Sequence, residues 1–160
     1  MPCQIAVCGP GKGSDPADER LAYRVGELLA ERRAVVICGG GGGVMAAACA
    51  GVRARDGLVV GVVGGADRSG SAAGLSVTVV TGMGEARNAI IVSSADAVIV
   101  VGGSWGTLSE VALAMRRGVP VISLGGWRVV DPAGRPVPGV VAAHDPAGAV
   151  DLALAAAGGA

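Results

Sequence analysis

The 160-residue sequence has no phenylalanine, a single histidine and a single lysine, and each shortage narrows what the chain can do. With His144 alone in a polar Asp-Pro loop, neither a histidine-dependent triad nor a histidine-rich metal centre is expected, and a solvated loop residue is the better reading. Because Lys12 is the one lysine, arginine is the group left to grip phosphate or carboxylate with two parallel hydrogen bonds. Net charge is missing as well: 13 basic residues balance 13 acidic ones, so no nucleic-acid footprint and no polybasic membrane patch is expected. Long apolar runs are lacking too, since glycine interrupts each one well short of the ~20 residues that cross a bilayer. The start, Met1-Pro2-Cys3-Gln4, has no charged leader before an apolar stretch, so no secretory signal is recognised and the cytoplasm is the expected location. Cys3, Cys8, Cys38 and Cys49 lack the close paired spacing of zinc ligands and read as buried, reduced thiols. Cys8 and Cys38 end predicted strands, which leaves open a thiol facing a ligand, and no metal is assigned.

What the chain has in quantity is glycine, 29 residues of it, and short β-branched runs alternating with helical periodicity. Residues 5–8, 34–38, 58–63, 97–101 and 119–124 read as strands, apolar on almost every position as strands buried on both faces must be. Between them, Ala17, Leu21, Val25, Leu28 and Leu29 recur at helical spacing, as do Met45, Cys49 and Val52, and again Leu108, Val111, Ala112 and Met115. This alternation predicts an α/β fold, Rossmann-like and doubly wound, with a mainly parallel sheet and helices on both faces. The length suits a single domain over residues 1–160. Residues 76–80 alternate polar with apolar and suggest a strand nearer an edge, residues 64–74 a mobile loop, and residues 131–139 a connector. Val150, Ala153, Leu154 and Ala157 then predict a closing helix.

In open sheets of this kind ligands bind beyond the carboxyl ends of the strands, and glycine clusters are expected there. The first is Gly9-Pro10-Gly11-Lys12-Gly13, followed by Asp15 as a helix cap and Pro16 in the first turn. The second is Gly39-Gly40-Gly41-Gly42-Gly43, directly before the helix that carries Met45. Glycine lets backbone amides approach an anion closely, and the helix start adds partial positive charge, so these runs read as phosphate cradles. The other reading is a set of tight turns that let helix and strand pack closely. Neither Gly-x-Gly-x-x-Gly nor a P-loop is present, because Lys12 is followed by Gly13. The third cluster is Gly102-Gly103-Ser104-Trp105-Gly106-Thr107, with Glu110 three residues beyond Thr107. That spacing is expected to form a capping box with Thr107 as the cap, although a carboxylate there can equally serve as base or electrostatic stabiliser. Upstream, Gly82 to Asn88 opens another helix on which Arg87 points away from the apolar stripe.

These three motifs, Gly39 to Met45, Ala86-Arg87-Asn88 and Gly102 to Glu110, resemble the Lonely-Guy and molybdenum-cofactor-carrier superfamily, once widely described as lysine decarboxylases. The resemblance implies that Arg87 and Glu110 stand where the Lonely-Guy enzymes keep the pair that cleaves the N-glycosidic bond of a nucleoside 5′-monophosphate. It also implies that Gly9, Gly11, Gly39 to Gly43, Met45, Gly102, Gly103, Ser104, Trp105, Gly106 and Thr107 line the ligand site, with Trp105 stacking on the base or covering the pocket. Such a hydrolase needs no cofactor. Val101 in place of the motif's proline, Asn88 in place of its lysine and the Gly-Val-Met form of the second loop resemble the carrier branch, whose ligand is the molybdenum cofactor. The expected partners are therefore a small phosphorylated ligand, nucleoside monophosphate or pterin-type cofactor, and further copies of the chain in a dimer or tetramer. Decarboxylation through pyridoxal phosphate is excluded, for Lys12 in a glycine loop is the only lysine available to hold it.

Overall fold

A computed structural model describes residues 1–158. Its strands are β1 (Gln4–Cys8), β2 (Val35–Cys38), β3 (Val59–Val63), β4 (Val77–Val80), β5 (Ala97–Val101), β6 (Val121–Leu124) and β7 (Val140–Ala143). Its helices are α1 (Pro16–Glu31), α2 (Val44–Arg53), α3 (Asn88–Ser93), α4 (Trp105–Arg117) and α5 (Pro146–Ala157), with a 3₁₀ turn at Gly84–Arg87 leading into α3. All strand pairs are parallel, in the order β4-β3-β2-β1-β5-β6-β7. This is the doubly wound, Rossmann-like α/β architecture that the alternating pattern implies. The chain winds outward from β1 toward β4, then restarts at β5 on the other side of β1, so the direction of winding reverses between β1 and β5.

Side chains alternate across the central strands and feed two cores. Ile5 and Val7 of β1 pack with α1, α2 and α5, whereas Ala6 and Cys8 of the same strand pack with α3 and α4. At the centre of the sheet both faces are covered, which is why β5 is buried at every residue. Coverage thins at the rims. Val77 and Val79 on β4 remain exposed, as does Met83 just beyond it.

Local chemistry places the elements. Asp15 caps α1 by accepting from the Ala17 amide at 2.7 Å, with Pro16 at the first helical position, as the sequence implies. Gly118 ends α4 in the left-handed conformation with φ of 70°, where only glycine sits without strain. Two features differ from the sequence-based expectation. Strand β7 follows the predicted connector directly and is not among the expected strands, since Ala142 and Ala143 lack the β-branched character that marks the other runs. Residues 64–74, expected as a mobile loop, form neither helix nor strand but fold against the second glycine run: the Ala72 amide donates to the Gly40 carbonyl at 2.8 Å, and the Cys49 thiol to the Ala73 carbonyl at 3.3 Å.

Helices α1 and α2 cross at two glycines, and this contact positions the candidate site. A Cβ on Gly26 would strike the Ala48 carbonyl, and one on Gly51 the Tyr23 carbonyl. The tight crossing brings the start of α2 against the turn after β1, where the Val44 amide donates to the Pro10 carbonyl at 3.0 Å. Gly51→Ala is expected to destabilise the fold by about 1–3 kcal/mol through overpacking against main chain that has nowhere to move. Urea denaturation checks this, and an unchanged midpoint would mean that the crossing has slack.

Candidate functional site

The three glycine clusters emerge side by side at the carboxyl edge of the sheet, from β2, β1 and β5, which are neighbours. The first two are pressed together. Gly43, with φ of 62°, lies so close to the Gly11 and Pro10 carbonyls that no side chain fits there. The Met45 methyl group fills the gap between them, 3.2 Å from where a Cβ would stand on Gly11 and 3.0 Å from the same point on Gly41. Some main-chain donors are used internally, since the Val44 amide bonds to Pro10 and the Gly40 amide to the Cys38 sulfur at 3.4 Å. The amides of Gly41, Gly42 and Gly43 make no hydrogen bond among the described residues. Together with the amino end of α2 they form an anion-receptive edge, and exposed Lys12 lies in the adjoining turn.

The third turn differs from its expected form. Ser104, not Thr107, is the cap of α4: its backbone is extended and its Oγ accepts from the Thr107 amide at 3.2 Å. Thr107 is instead the third helical residue, buried, with its hydroxyl 2.9 Å from that of Ser104. The helix therefore starts three residues earlier, and Glu110 falls in its second turn, where no free amide awaits it. No capping box forms through Glu110. Released from that task, its carboxylate turns inward and keeps only 8% side-chain exposure.

There it meets Arg87. The 3₁₀ turn carrying Arg87 is held by Gly84 and Gly82 amides donating to the Gly64 and Gly65 carbonyls. Its guanidinium lies directly on Gly39, where a Cβ would come within 2.5 Å of Nη1. Nη1 stands 3.8 Å from Glu110 Oε1, an ion pair spanning two elements that the sequence could not join. Asn88, buried beside Arg87, ties α3 to α4 by donating to Ser109 Oγ at 3.0 Å. Burial pushes the Glu110 carboxyl up to about 7, against the opposing pull of the Cys8 thiol and the Arg87 guanidinium. Burial also holds the Cys8 thiol well above its usual range, with the Glu110 charge adding to the effect, so Cys8 is a neutral neighbour and not a nucleophile. Cys38 is likewise raised, to about 11, chiefly by burial.

Trp105, offered by the sequence as a stacking or covering group, is 79% exposed and meets Trp127 edge to face with ring centroids 4.7 Å apart. Trp127 in turn packs on Gly103, which has no side chain to obstruct it. A cavity of about 380 Å³ opens beside α4 beneath Trp127; Gly102, Gly103, Ser104 and Thr107 contribute to its wall, but Arg87 and Glu110 do not. Sequence reasoning missed Asp18 and Trp127 altogether. Asp18, whose carboxylate lies against Gly102, is one of two acidic residues in the first turn of α1, and Trp127 follows a glycine pair with no motif around it.

Residues 2–146 match the SLOG cluster4 family. The chain belongs to that family. An uncharacterized protein of Archaeoglobus fulgidus is 48% identical over 122 residues, covering 76% of this chain and 79% of its own length. Among solved structures, the molybdenum cofactor binding protein of Rippkaea orientalis superposes with a TM-score of 0.89 at 34% identity, over 97% of each chain. The molybdenum cofactor carrier protein of Chlamydomonas reinhardtii superposes at 0.85 with 30% identity, over 98% of each. The two structural likenesses run nearly the full length of the fold, and together with the family match they agree with the resemblance carried by the glycine motifs.

The raised Glu110 carboxyl ties stability to pH. Between about 4.5, its ordinary value, and about 7, the folded chain keeps a proton that the unfolded chain has released. The stabilisation is full below this window and is lost as pH rises through it, to the extent of about 3 kcal/mol. Glu110→Gln should flatten this dependence, and urea midpoints of both proteins across pH 4.5–8 would show it; parallel slopes would contradict the burial.

Proposed function

We propose that this protein binds a small phosphorylated heterocycle of the pterin type at the crevice between β1 and β5 and carries it without breaking a bond, as a molybdenum-cofactor carrier. The observation that carries this reading is full-length similarity to two proteins described as binding or carrying that cofactor, at 34% and 30% identity. The geometry supports it. Free amides at Gly41, Gly42 and Gly43 suit a phosphate, and Arg87 adds a fixed positive charge on the same edge. Gly9, Gly11, Gly102 and Gly103 complete the walls by keeping side chains out of the way, while Ser104 turns its hydroxyl to the α4 cap. Glu110, in this reading, holds Arg87 in place from below; at 8% exposure its carboxylate is poorly placed to touch a sugar.

The second reading is a nucleoside 5′-monophosphate phosphoribohydrolase. It is favoured by one observation, the pairing of Arg87 with a carboxyl poised near 7, the range in which a general acid or base works best. Purified protein incubated with AMP is expected to release no adenine, while chain isolated from a host that makes the cofactor should yield a fluorescent pterin after oxidation. Adenine release that disappears in Glu110→Ala would reverse the choice.

Assembly into a dimer or tetramer belongs to the same reading. Only α3 and α4 cover their side of a seven-stranded sheet, and Val77, Val79 and Met83 stay exposed at its margin. Light scattering should give a mass at least twice the 15.4 kDa of the chain, and a monomer at working concentration would count against it. No helix of the described residues is long and apolar enough to cross a membrane, and we place the protein's work in the cytoplasm.

A further inference from the structure

The crevice has an acidic end that neither motif nor family resemblance points to. Asp18 stands three residues after the cap Asp15, the spacing at which a carboxylate usually reaches back to bond the cap amide. It does not do so here. Its carboxylate turns instead toward the strand ends, with Cγ 2.8 Å from where a Cβ would stand on Gly102 and Oδ1 4.0 Å from the same point on Gly125. Pro10 borders the same spot, its Cδ 3.4 Å from the Gly102 point. The group thus sits over the turns that follow β1, β5 and β6. Gly102, with φ of 67°, leaves it the room: any side chain there would fall on the carboxylate.

Neither oxygen of Asp18 accepts a hydrogen bond, and no cation pairs with it, among the described residues. Burial, and then the charge of Asp15, hold its carboxyl above the usual range, so part of its hydration is already gone. Two free acceptors side by side at a ligand crevice call for two adjacent donors. They also repel phosphate. The crevice is therefore polarised, with Lys12, Arg87 and the free amides of Gly41 to Gly43 on the β1–β2 side and Asp18 on the β5–β6 side.

We propose that Asp18 selects the ligand's ring by accepting from two neighbouring N–H groups of a 2-amino-4-oxopyrimidine edge, the edge that guanine and pterins share, while the phosphate lies at the glycine-rich end. This rests on the reading of the crevice as a site for a phosphorylated heterocycle. The geometry gives the ligand one direction of entry, ring toward β5 and phosphate toward β2.

Titration calorimetry with GMP, IMP and AMP tests it, because IMP lacks only the 2-amino group and AMP presents a different edge. Wild-type protein should bind GMP about 10–100 times more tightly than IMP, the range of one charge-assisted hydrogen bond. Asp18→Asn, nearly the same shape, should reduce that ratio to within about threefold, and an unchanged circular dichroism spectrum shows that the variant folds. A reduced pterin phosphate in the same assay separates the two sources of the edge: whichever of it and GMP binds more tightly is the better ligand, and both should weaken with Asp18→Asn. Equal affinities for GMP and IMP in wild type, or a ratio untouched by the substitution, would overturn the role of Asp18 alone. Absence of binding by every nucleotide and by the pterin phosphate would overturn the phosphorylated-heterocycle reading and this proposal with it.

Discussion

Main chain approaching main chain without side chains between is the constraint on which the rest of this protein depends. At the carboxyl ends of β2, β1 and β5 the turns lie so close that Gly9, Gly39, Gly43 and Gly102 each occupy a place where a Cβ would collide with a neighbour. The reward is a crevice walled by peptide groups and furnished with few side chains: Arg87 on Gly39, Asp18 on Gly102 and the Met45 methyl between Gly11 and Gly41. Each of these groups is located by an absent side chain. Substitution at such a glycine removes the shape of the site before it alters any charge.

Much of the fold was legible because its determinants are local. Buried parallel strands announce themselves as short all-apolar runs, and Asp15-Pro16 marks a helix start by chemistry confined to one turn. The site was legible only in outline. The glycine clusters could be placed at strand ends, but which serine or threonine capped α4 depended on backbone angles at Ser104 that spacing does not encode. The same error hid the burial of Glu110, since a residue assigned to a cap has no reason to turn inward. Arg87 and Glu110 are far apart in sequence, and only the packing of α3 on α4, tied by Asn88 and Ser109, brings them together. Asp18 was invisible because its departure from the cap is a tertiary choice, taken when Gly102 offers space across the sheet.

The Arg87–Glu110 pair is the one feature on which the proposed carrier and hydrolase readings both draw. Partial burial makes the carboxylate costly and the guanidinium beside it offsets part of that cost, so the pair persists whether or not a bond is ever broken above it. What separates binding from hydrolysis is then access. On the proposed carrier reading, a carboxylate sealed under an arginine stiffens the floor of the site.

The two walls of the crevice are mounted on different layers, and this has a mechanical consequence. The turns after β1 and β2 are locked to each other by Gly43 and by the glycine-to-glycine crossing of α1 with α2. The turn after β5 is carried by α4 on the opposite face of the sheet, beside an open cavity. A ligand seated between these turns would touch both layers at once, and its binding would cross-link α1 and α2 on one face of the sheet to α4 on the other.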